Sequence, residues 1–268
     1  MSTSNTFNTL ELQVEGPVAR IWLNRPEMRN AIDDVFIREL GEAFAQAEAA
    51  TGVRAVVLGG RGPAFCAGAN LNWMKKAADY TREQNLQDAA GLPRMLRTLE
   101  GSRLPVVARI QGDVYAGGMG LVSVCDVAIA ASSANFCLSE VKIGLIPATI
   151  SPYVIRAMGA RAAQRYFQTA ERFGAAQAHR IGFVHEVVEP EALDAKVDEV
   201  LGNILAAAPG AVAESKRLWR DMAGQPITEA LNADTVERIA TLRASDEGKE
   251  GLRAFLEKRK PSWVKPQA

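Results

Sequence analysis

The sequence contains very few of the residue types that metal centres and histidine-based catalytic sites use. Its 268 residues include two histidines, His179 and His185, and three cysteines, Cys66, Cys125 and Cys137. The cysteines show no metal-ligand spacing, so we expect them to be reduced and mostly buried. A histidine-based triad or a zinc centre would have too few candidate members, and we predict no metal site.

An excess of charge of one sign and a long apolar run are also missing. Lys plus Arg and Asp plus Glu both number 31, so the net charge is zero and we expect no nucleic-acid partner. The segment MSTSNTFNTL lacks a basic stretch followed by an apolar core, and no run of about 18 apolar residues occurs. We therefore expect a cytoplasmic protein with no membrane partner.

Strand and helix patterns alternate through roughly the first two hundred residues, which favours an α/β fold with helices packed on sheets. LELQVEG and VARIWLN alternate apolar and polar residues on either side of a Gly-Pro turn and predict a β-hairpin. DDVFIRELGEAFAQAEA has helical spacing, and VRAVVLGG and LPVVARIQG are typical of buried strands. From about Pro190 onward, four helical patterns follow one another.

Two turns rich in small residues each follow a buried strand. RGPAFCAGANL, with Gly62 and Gly68, predicts a loop after AVVLGG, and YAGGMG begins an apolar helix with Gly117, Gly118 and Gly120. Glycine inside a helix costs about 0.5–1 kcal/mol relative to alanine, so another backbone or a ligand should come close here. Such turns can place two backbone N–H groups side by side, which suits a developing negative charge. Tight helix–strand packing is the alternative interpretation.

Five motifs occur in the order typical of the enoyl-CoA hydratase/isomerase, or crotonase, family, which the sequence resembles over nearly its whole length. They are LNRPEMRNAI, GRGPAFCAGANL, IQGDVYAGGMGLVSVCDVAIAASSANFCLSE, IGLIP and EGLRAFLEKRKPSW. The resemblance implies an α/β fold, the crotonase spiral of β-β-α units, over residues 1–195. It also implies a C-terminal helical oligomerisation region over residues 196–268 and a homotrimer or a dimer of trimers.

The resemblance also implies a catalytic site. A thioester carbonyl would lie between the backbone N–H groups of Ala67 and Gly117, which bind the enolate oxygen more strongly than the neutral carbonyl. Glu140 would be the general acid/base, with a pKa raised by desolvation in an apolar acyl pocket. Family hydratases carry a second glutamate, and its position is occupied here by Gly120.

Coenzyme A is part of the implied acyl-CoA substrate, so no separate cofactor is expected. Trp73 is expected to line the acyl pocket, and Phe255 and Lys258 match residues that a neighbouring subunit contributes to the nucleotide site. From the residues alone, we would expect Trp73 to have a packing role and the EKRK segment to be a solvated helix end. The residues implied to contact the substrate are Arg25, Arg29, Ala31, Ala67, Ala69, Asn70, Leu71, Trp73, Gly118, Phe255 and Lys258.

The segment NFCLSEVKIGLIPATISPYVIRAMG, followed by AERF, resembles bacterial hydratases of 3-methylglutaconyl-CoA and isohexenylglutaconyl-CoA. This predicts an enoyl-CoA hydratase that acts on a branched substrate in leucine or acyclic-terpenoid breakdown. A single carboxylate also suits a 3-enoyl-CoA to 2-enoyl-CoA isomerase, which is the first alternative. A non-catalytic acyl-CoA-binding homologue is the second. One eukaryotic relative binds AU-rich RNA, but the balanced charge argues against that partner here.

Overall fold

The computed structural model describes residues 3–264, which fold around two β-sheets. The larger sheet has seven strands, which are, in spatial order, β1 (Thr3–Thr6), β2 (Leu10–Glu15), β3 (Val18–Leu23), β4 (Ala55–Gly60), β6 (Val106–Ile110), β8 (Val127–Ala131) and β11 (Glu186–Val188). β1, β2 and β3 pair antiparallel, and every later pair in this sheet is parallel. The predicted hairpin is therefore confirmed as β2 and β3.

The smaller sheet contains four short strands and carries the functional loops. In spatial order these are β10 (Phe173–Gly174), β9 (Asn135–Cys137), β7 (Asp113–Tyr115) and β5 (Ala64–Cys66). β5, β7 and β9 run parallel to one another, and β10 pairs antiparallel with β9. The loop predicted after AVVLGG was wrong in one respect, because three of its residues form β5.

Twelve α-helices and three short 3-10 helices connect and cover these sheets within residues 3–264. The α-helices are α1 (Asp34–Ala49), α2 (Leu71–Ala77), α3 (Arg82–Ala89), α4 (Gly91–Gly101), α5 (Gly117–Ser123), α6 (Ser151–Met158), α7 (Ala160–Thr169), α8 (Ala175–Arg180), α9 (Leu193–Ala206), α10 (Pro209–Met222), α11 (Glu229–Ala244) and α12 (Asp246–Leu256). The 3-10 helices are Pro26–Met28, Glu140–Ile143 and Pro190–Ala192. No helix in this part of the chain has the length and apolar character needed to span a bilayer.

The order of the elements confirms the predicted spiral of β-β-α units. β4 leads into β5 and α2, β6 leads into β7 and α5, and β8 leads into β9 and the helices that follow it. Each unit thus passes from the large sheet to the small sheet and then to helices. Repetition of this path places the ends of β5, β7 and β9 next to one another at one edge of the small sheet.

The large sheet is buried on both faces, which explains why its central strands are continuously apolar. Every residue of β4 is buried. One face packs against α1, whose N-terminus is capped by the Asp33 side chain accepting a hydrogen bond from the Phe36 N–H. The other face packs against Leu193, Val197 and Leu201 of α9. The boundary predicted between residues 195 and 196 therefore falls inside α9.

Candidate active site

Three loops meet where β5, β7 and β9 end. Tyr115 at the end of β7 pairs with Cys137 at the end of β9, so the two strands end at the same level. β5 leads into the segment Ala67–Asn70, β7 leads into Ala116 and Gly117, and β9 leads to Glu140. The small sheet therefore brings together two of the three residues predicted to be catalytic, Gly117 and Glu140, along with the loop that contains Ala67.

The Ala67 amide is already occupied, so the prediction that it serves as a free donor was wrong. Its N–H donates a 3.0 Å hydrogen bond to the Arg29 carbonyl oxygen. Two residues further on, Ala69 lies in a parallel bridge with Ile32, in which the Ile32 N–H donates to Gly68 and the Asn70 N–H donates to Ile32, both at 2.7 Å. Alternation along such a strand turns the Ala69 N–H away from Ile32.

Ala69 and Gly117 supply the available pair of amides. Neither N–H has an acceptor within residues 3–264. Gly117 is the first residue of α5, so it has no helical acceptor four residues back. Ala116 before it has a φ of 46°, a left-handed conformation that costs a non-glycine residue about 1–3 kcal/mol. A Cβ on Gly68 would lie 3.1 Å from the Ala116 Cβ, so the two turns are in contact.

Close packing explains the glycines in the first turns of α5. A Cβ on Gly118 would lie 2.6 Å from the Cys66 carbonyl oxygen at the end of β5. A Cβ on Gly120 would lie 2.5 Å from Ile150 Cγ2 and 3.3 Å from Leu96 Cδ1. Gly118, predicted to contact the substrate, is therefore buried against the neighbouring strand. The space into which the side chain of the second family glutamate would extend from the Gly120 position is filled by apolar side chains.

Glu140 is the acidic group of this site. It begins the 3-10 helix that follows β9, and its Oε2 atom is buried with no hydrogen-bond partner in the described part of the chain. Burial raises the pKa of its carboxyl group above the ordinary value. A buried carboxylate without a partner is costly, and such groups are concentrated at functional sites.

Comparisons with known proteins show the family of the chain. The sequence profile of the family described as enoyl-CoA hydratase/isomerase matches residues 13–266. The chain belongs to the enoyl-CoA hydratase/isomerase family.

Individual relatives agree in fold and length. An enoyl-CoA hydratase of known structure from Shewanella pealeana is 41% identical, with a TM-score of 0.92 and 96% of each chain covered. The short-chain-enoyl-CoA hydratase of Clostridium acetobutylicum is 32% identical over 95% of this chain and 97% of its own length. The crotonyl-CoA hydratase of Syntrophomonas wolfei is 30% identical over 96% of this chain and 98% of its own length.

Several residues expected to contact coenzyme A in this family instead hold the loop that follows β3. The Arg25 guanidinium donates to Asp33 Oδ2 at 2.7 Å and to the Ala31 carbonyl, and only 15% of its side chain is exposed. The Asn70 amide also donates to Asp33 Oδ2, at 2.9 Å. Burial acts to raise the pKa of Asp33, but these hydrogen bonds and the one from the start of α1 outweigh it and lower the pKa. The Arg25 guanidinium is therefore turned toward these groups of its own chain, and its contact with coenzyme A stays a prediction.

The remaining predicted contacts on this side of the site differ in exposure. Arg29 is half-exposed and pairs with Asp113 at 2.6 Å. Leu71 is 73% exposed at the start of α2. The Trp73 indole donates to Asp88 at 2.9 Å and faces a cavity of about 440 Å³ enclosed by α1, α2, α3 and α4. Neither Gly117 nor Glu140 lines that cavity, and the contact of Trp73 with the acyl chain stays a prediction.

Phe255 and Lys258 are remote from the site of their own chain. Arg54, which directly precedes β4, donates to the Leu205 carbonyl at 2.9 Å and to the Trp263 carbonyl at 3.5 Å, and the Trp263 ring packs on Gly251 of α12. α12 thus lies at the end where β4 begins, whereas the site loops follow the other end of that strand. The Phe255 side chain is 81% exposed there.

Sequence reasoning missed the Ala69 amide, Asp33 and the apolar partner of Gly120. The Ala69 N–H is free within the described part of the chain because the peptide groups around it bond to Arg29 and Ile32. No local sequence pattern specifies that pairing. Asp33 lies in the segment predicted as a helix, and its contacts with Arg25 and Asn70 were not predicted. Ile150 lies thirty residues from Gly120, and nothing in its own segment marks the contact.

Proposed function

We propose that the chain is an enoyl-CoA hydratase, which adds water across the double bond of a 2-enoyl thioester with Glu140 as its only acid/base residue. The observation that carries this is the buried, unpartnered Oε2 of Glu140 at the same sheet edge as the two available amides. A carboxylate oxygen that accepts no hydrogen bond within the described part of the chain is ready to accept a proton from a reactant.

Each proton has a defined source and destination in this reaction. Glu140, as the carboxylate, takes a proton from water while the water oxygen bonds to C3. The double-bond electrons pass to the thioester oxygen, and the resulting enolate accepts hydrogen bonds from the Ala69 and Gly117 N–H groups. Glu140 then returns its proton to C2, and the thioester carbonyl forms again. Each amide contributes about 3–4 kcal/mol to lowering the barrier, because it binds the enolate oxygen more strongly than the carbonyl.

The proposed substrate is a branched acyl-CoA of the 3-methylglutaconyl type. This rests on the resemblance of residues 135–159 to hydratases of such substrates. The packing around Gly120 supports it indirectly, because Ile150 and Leu96 leave no room for the second protein carboxylate that hydration of simple enoyl thioesters uses in this family.

Isomerisation of a 3-enoyl-CoA is the second candidate, and the same apolar wall favours it. Moving a proton between C2 and C4 requires one base and no water. An apolar surface where the second glutamate would stand suits that reaction, because it keeps water away from the enolate.

Oxygen-18 water separates these reactions. We expect the native chain to incorporate label into 3-methylglutaconyl-CoA, and Glu140→Gln to reduce turnover by about 10²- to 10⁴-fold, the usual contribution of a general acid/base. Glu140→Gln should still bind butyryl-CoA, because the amides and the loop near Arg29 are unchanged. The exposed Glu186 on β11 provides a control, Glu186→Gln, that should keep full activity.

Two outcomes would contradict the hydratase proposal. Migration of the double bond in a linear 3-enoyl-CoA without label uptake would show an isomerase. Full turnover by Glu140→Gln would remove this carboxyl group from the chemistry.

A further inference from the structure

A positively charged group lies at the same sheet edge, beyond Glu140. Arg172 directly precedes β10, which pairs with β9, so it lies beside Cys137 at the end of β9. Its guanidinium carbon is 5.3 Å from the centroid of the Tyr115 ring. Tyr115 is two residues before Gly117, and a cation over an aromatic face is held in position by the ring. The Arg172 side chain is therefore stacked next to the loops of the proposed active site.

Arg172 is exposed and has no carboxylate partner within residues 3–264, although acidic groups lie near it in the sequence and the fold. Glu171, its neighbour, accepts two hydrogen bonds from Arg165. Asp113, at the start of the strand that carries Tyr115, accepts from Arg29. Because these carboxylates are already paired, the guanidinium keeps its five donors for a group outside the chain.

A second cation lies near the end of β9. Lys142, two residues after Glu140, is exposed and makes no ion pair in the part of the chain that the structure describes. Burial raises the pKa of the Cys137 thiol, and Lys142 and Arg172 both oppose that rise, so both cations lie near this thiol. This part of the sheet edge, taken as the exit from the Glu140 site, is therefore positively charged.

The order of the strands indicates which part of a substrate reaches this exit. Across the sheet edge the order is β5, β7, β9 and β10, which places Ala69, Gly117, Glu140 and Arg172 in that sequence. A thioester carbonyl held by the two amides has its double bond beside Glu140. The acyl chain then extends toward β10, while the coenzyme A portion leaves on the side of β5.

We infer that Arg172 binds a carboxylate at the distal end of the acyl chain, so that the preferred substrates are thioesters of dicarboxylic acids. This inference rests on the proposed function, because it takes the positions of the carbonyl and the double bond from it. A guanidinium and a carboxylate form two parallel charge-assisted hydrogen bonds, which fixes the chain end as well as attracting it. Stacking on Tyr115 leaves the edge of the guanidinium free to make them.

The kinetic test compares two substrates of equal chain length, glutaconyl-CoA and 2-pentenoyl-CoA. We expect Arg172→Met to lower kcat/KM for glutaconyl-CoA by about 10- to 100-fold, mainly through KM, which is the usual effect of losing a hydrogen bond between charged groups. Turnover of 2-pentenoyl-CoA, which is expected to be slow because the second protein carboxylate is missing, should be unchanged by this substitution, and Arg172→Lys should restore part of the loss. Arg161→Met, which removes an exposed arginine of α7 that within residues 3–264 donates only to the Gln164 side chain, is the matched control and should not discriminate between the substrates.

A binding measurement separates this inference from the proposed function. Titration calorimetry with glutaryl-CoA, pentanoyl-CoA and free coenzyme A needs no turnover. Weaker binding of glutaryl-CoA alone to Arg172→Met supports the inference even if the native chain hydrates nothing. Equal weakening for all three ligands would mean that Arg172 binds a coenzyme A phosphate and would overturn it. Unchanged binding of all three would also overturn it.

Discussion

The buried Glu140 carboxyl group links activity to pH. Because burial raises its pKa, the carboxylate that takes the proton from water becomes scarce already at mildly acidic pH. We expect kcat/KM to fall with decreasing pH through this raised pKa. The measurement is the pH profile of hydration in buffers of constant ionic strength, and a profile that stays flat down to the ordinary glutamate pKa would contradict the assignment.

The same carboxyl group should reduce stability at high pH. A folded-state pKa above the unfolded value means that the folded chain binds the proton more tightly, so stability present at low pH is lost as pH rises through the folded pKa. Glu140→Gln has no ionisable group at this position and so does not lose this stability. At pH 8 we expect its free energy of unfolding to exceed that of the native chain by about 1–3 kcal/mol, with a correspondingly higher unfolding temperature. The difference should shrink as the pH is lowered toward 4. Thermal unfolding across that range tests the sign.

Gly120 allows α5 to approach Ile150 closely. Gly120→Ala places a methyl group 2.5 Å from Ile150 Cγ2, so we expect a loss of about 1–3 kcal/mol of unfolding free energy despite the higher helix propensity of alanine. Ile150→Ala removes the clashing atom, and the double variant should lose less than the sum of the single variants. Urea unfolding of the four proteins measures this coupling, and additive losses would contradict the contact.

The Asn70 side chain is hydrogen-bonded to the Asp33 carboxylate. Its amide donates to Asp33 at 2.9 Å, so Asn70→Asp replaces a donor with a second carboxylate while keeping the size of the side chain. We expect a loss of about 1–3 kcal/mol at neutral pH that disappears in acid, where the new carboxyl group becomes protonated. Asn72→Asp on the exposed face two residues away is the control and should change stability little.

Site residues that act through the chemistry of their side chains could be predicted from the sequence. Those that act through backbone N–H groups could not. The role of Glu140 was predicted through the resemblance to the crotonase family, because its place in the motif and its carboxyl group match the family's acid/base residue. The role of hydrogen-bond donor to the substrate was assigned to the Ala67 N–H and not to the Ala69 N–H. The orientation of this peptide group is set by pairing with Ile32, which is far away in sequence. For the glycines at 118 and 120 the sequence left a ligand and close packing open, and backbone and side-chain packing within the chain accounts for both.

Among the elements, α10 depends on a single buried charge. Lys216 is its only buried residue, with 6% of its side chain exposed, and its ammonium donates to Asp126 at 2.7 Å and to the Leu104 carbonyl at 2.9 Å. We expect Lys216→Met to cost about 3–5 kcal/mol, because it leaves the buried Asp126 carboxylate without its cation. Adding Asp126→Asn should recover part of that loss. Chemical denaturation of both variants provides the check, and equal stabilities would contradict it.

The long elements were predictable because their patterns are complete within the segment. α1, β4 and the hairpin of β2 and β3 each carry a full apolar period and clear end signals. The strands of the small sheet span two or three residues, too few to show an alternation. Their existence follows from pairing between segments that are distant in sequence, which is why β5 was predicted as loop. The polar stretch between Arg82 and Glu100 forms two helices, α3 and α4.

For the whole molecule, the C-terminal helices present apolar residues that one chain does not cover. α11 has no buried residue, and α12 buries only Ala254. The large apolar residues exposed on or near these helices are Ile227, Val236, Ile239, Leu252, Phe255 and Leu256. Several large apolar residues exposed on neighbouring helices often mark a protein interface. We propose that copies of this chain associate through it as a trimer or a dimer of trimers.

Association would also complete the nucleotide site, since Phe255 and Lys258 are remote from the loops of their own chain. Leu256→Asp places a charge on the proposed interface without altering either residue. We expect this variant to sediment as a monomer and to bind coenzyme A at least about tenfold more weakly than the native oligomer, the effect of losing one charged hydrogen bond. Glu257→Gln, next to it on an exposed position, should leave both properties unchanged. A native chain that sediments as a monomer would refute the interface. Dissociation of Leu256→Asp with no loss of coenzyme A affinity would keep the interface and remove Phe255 and Lys258 from the neighbouring site.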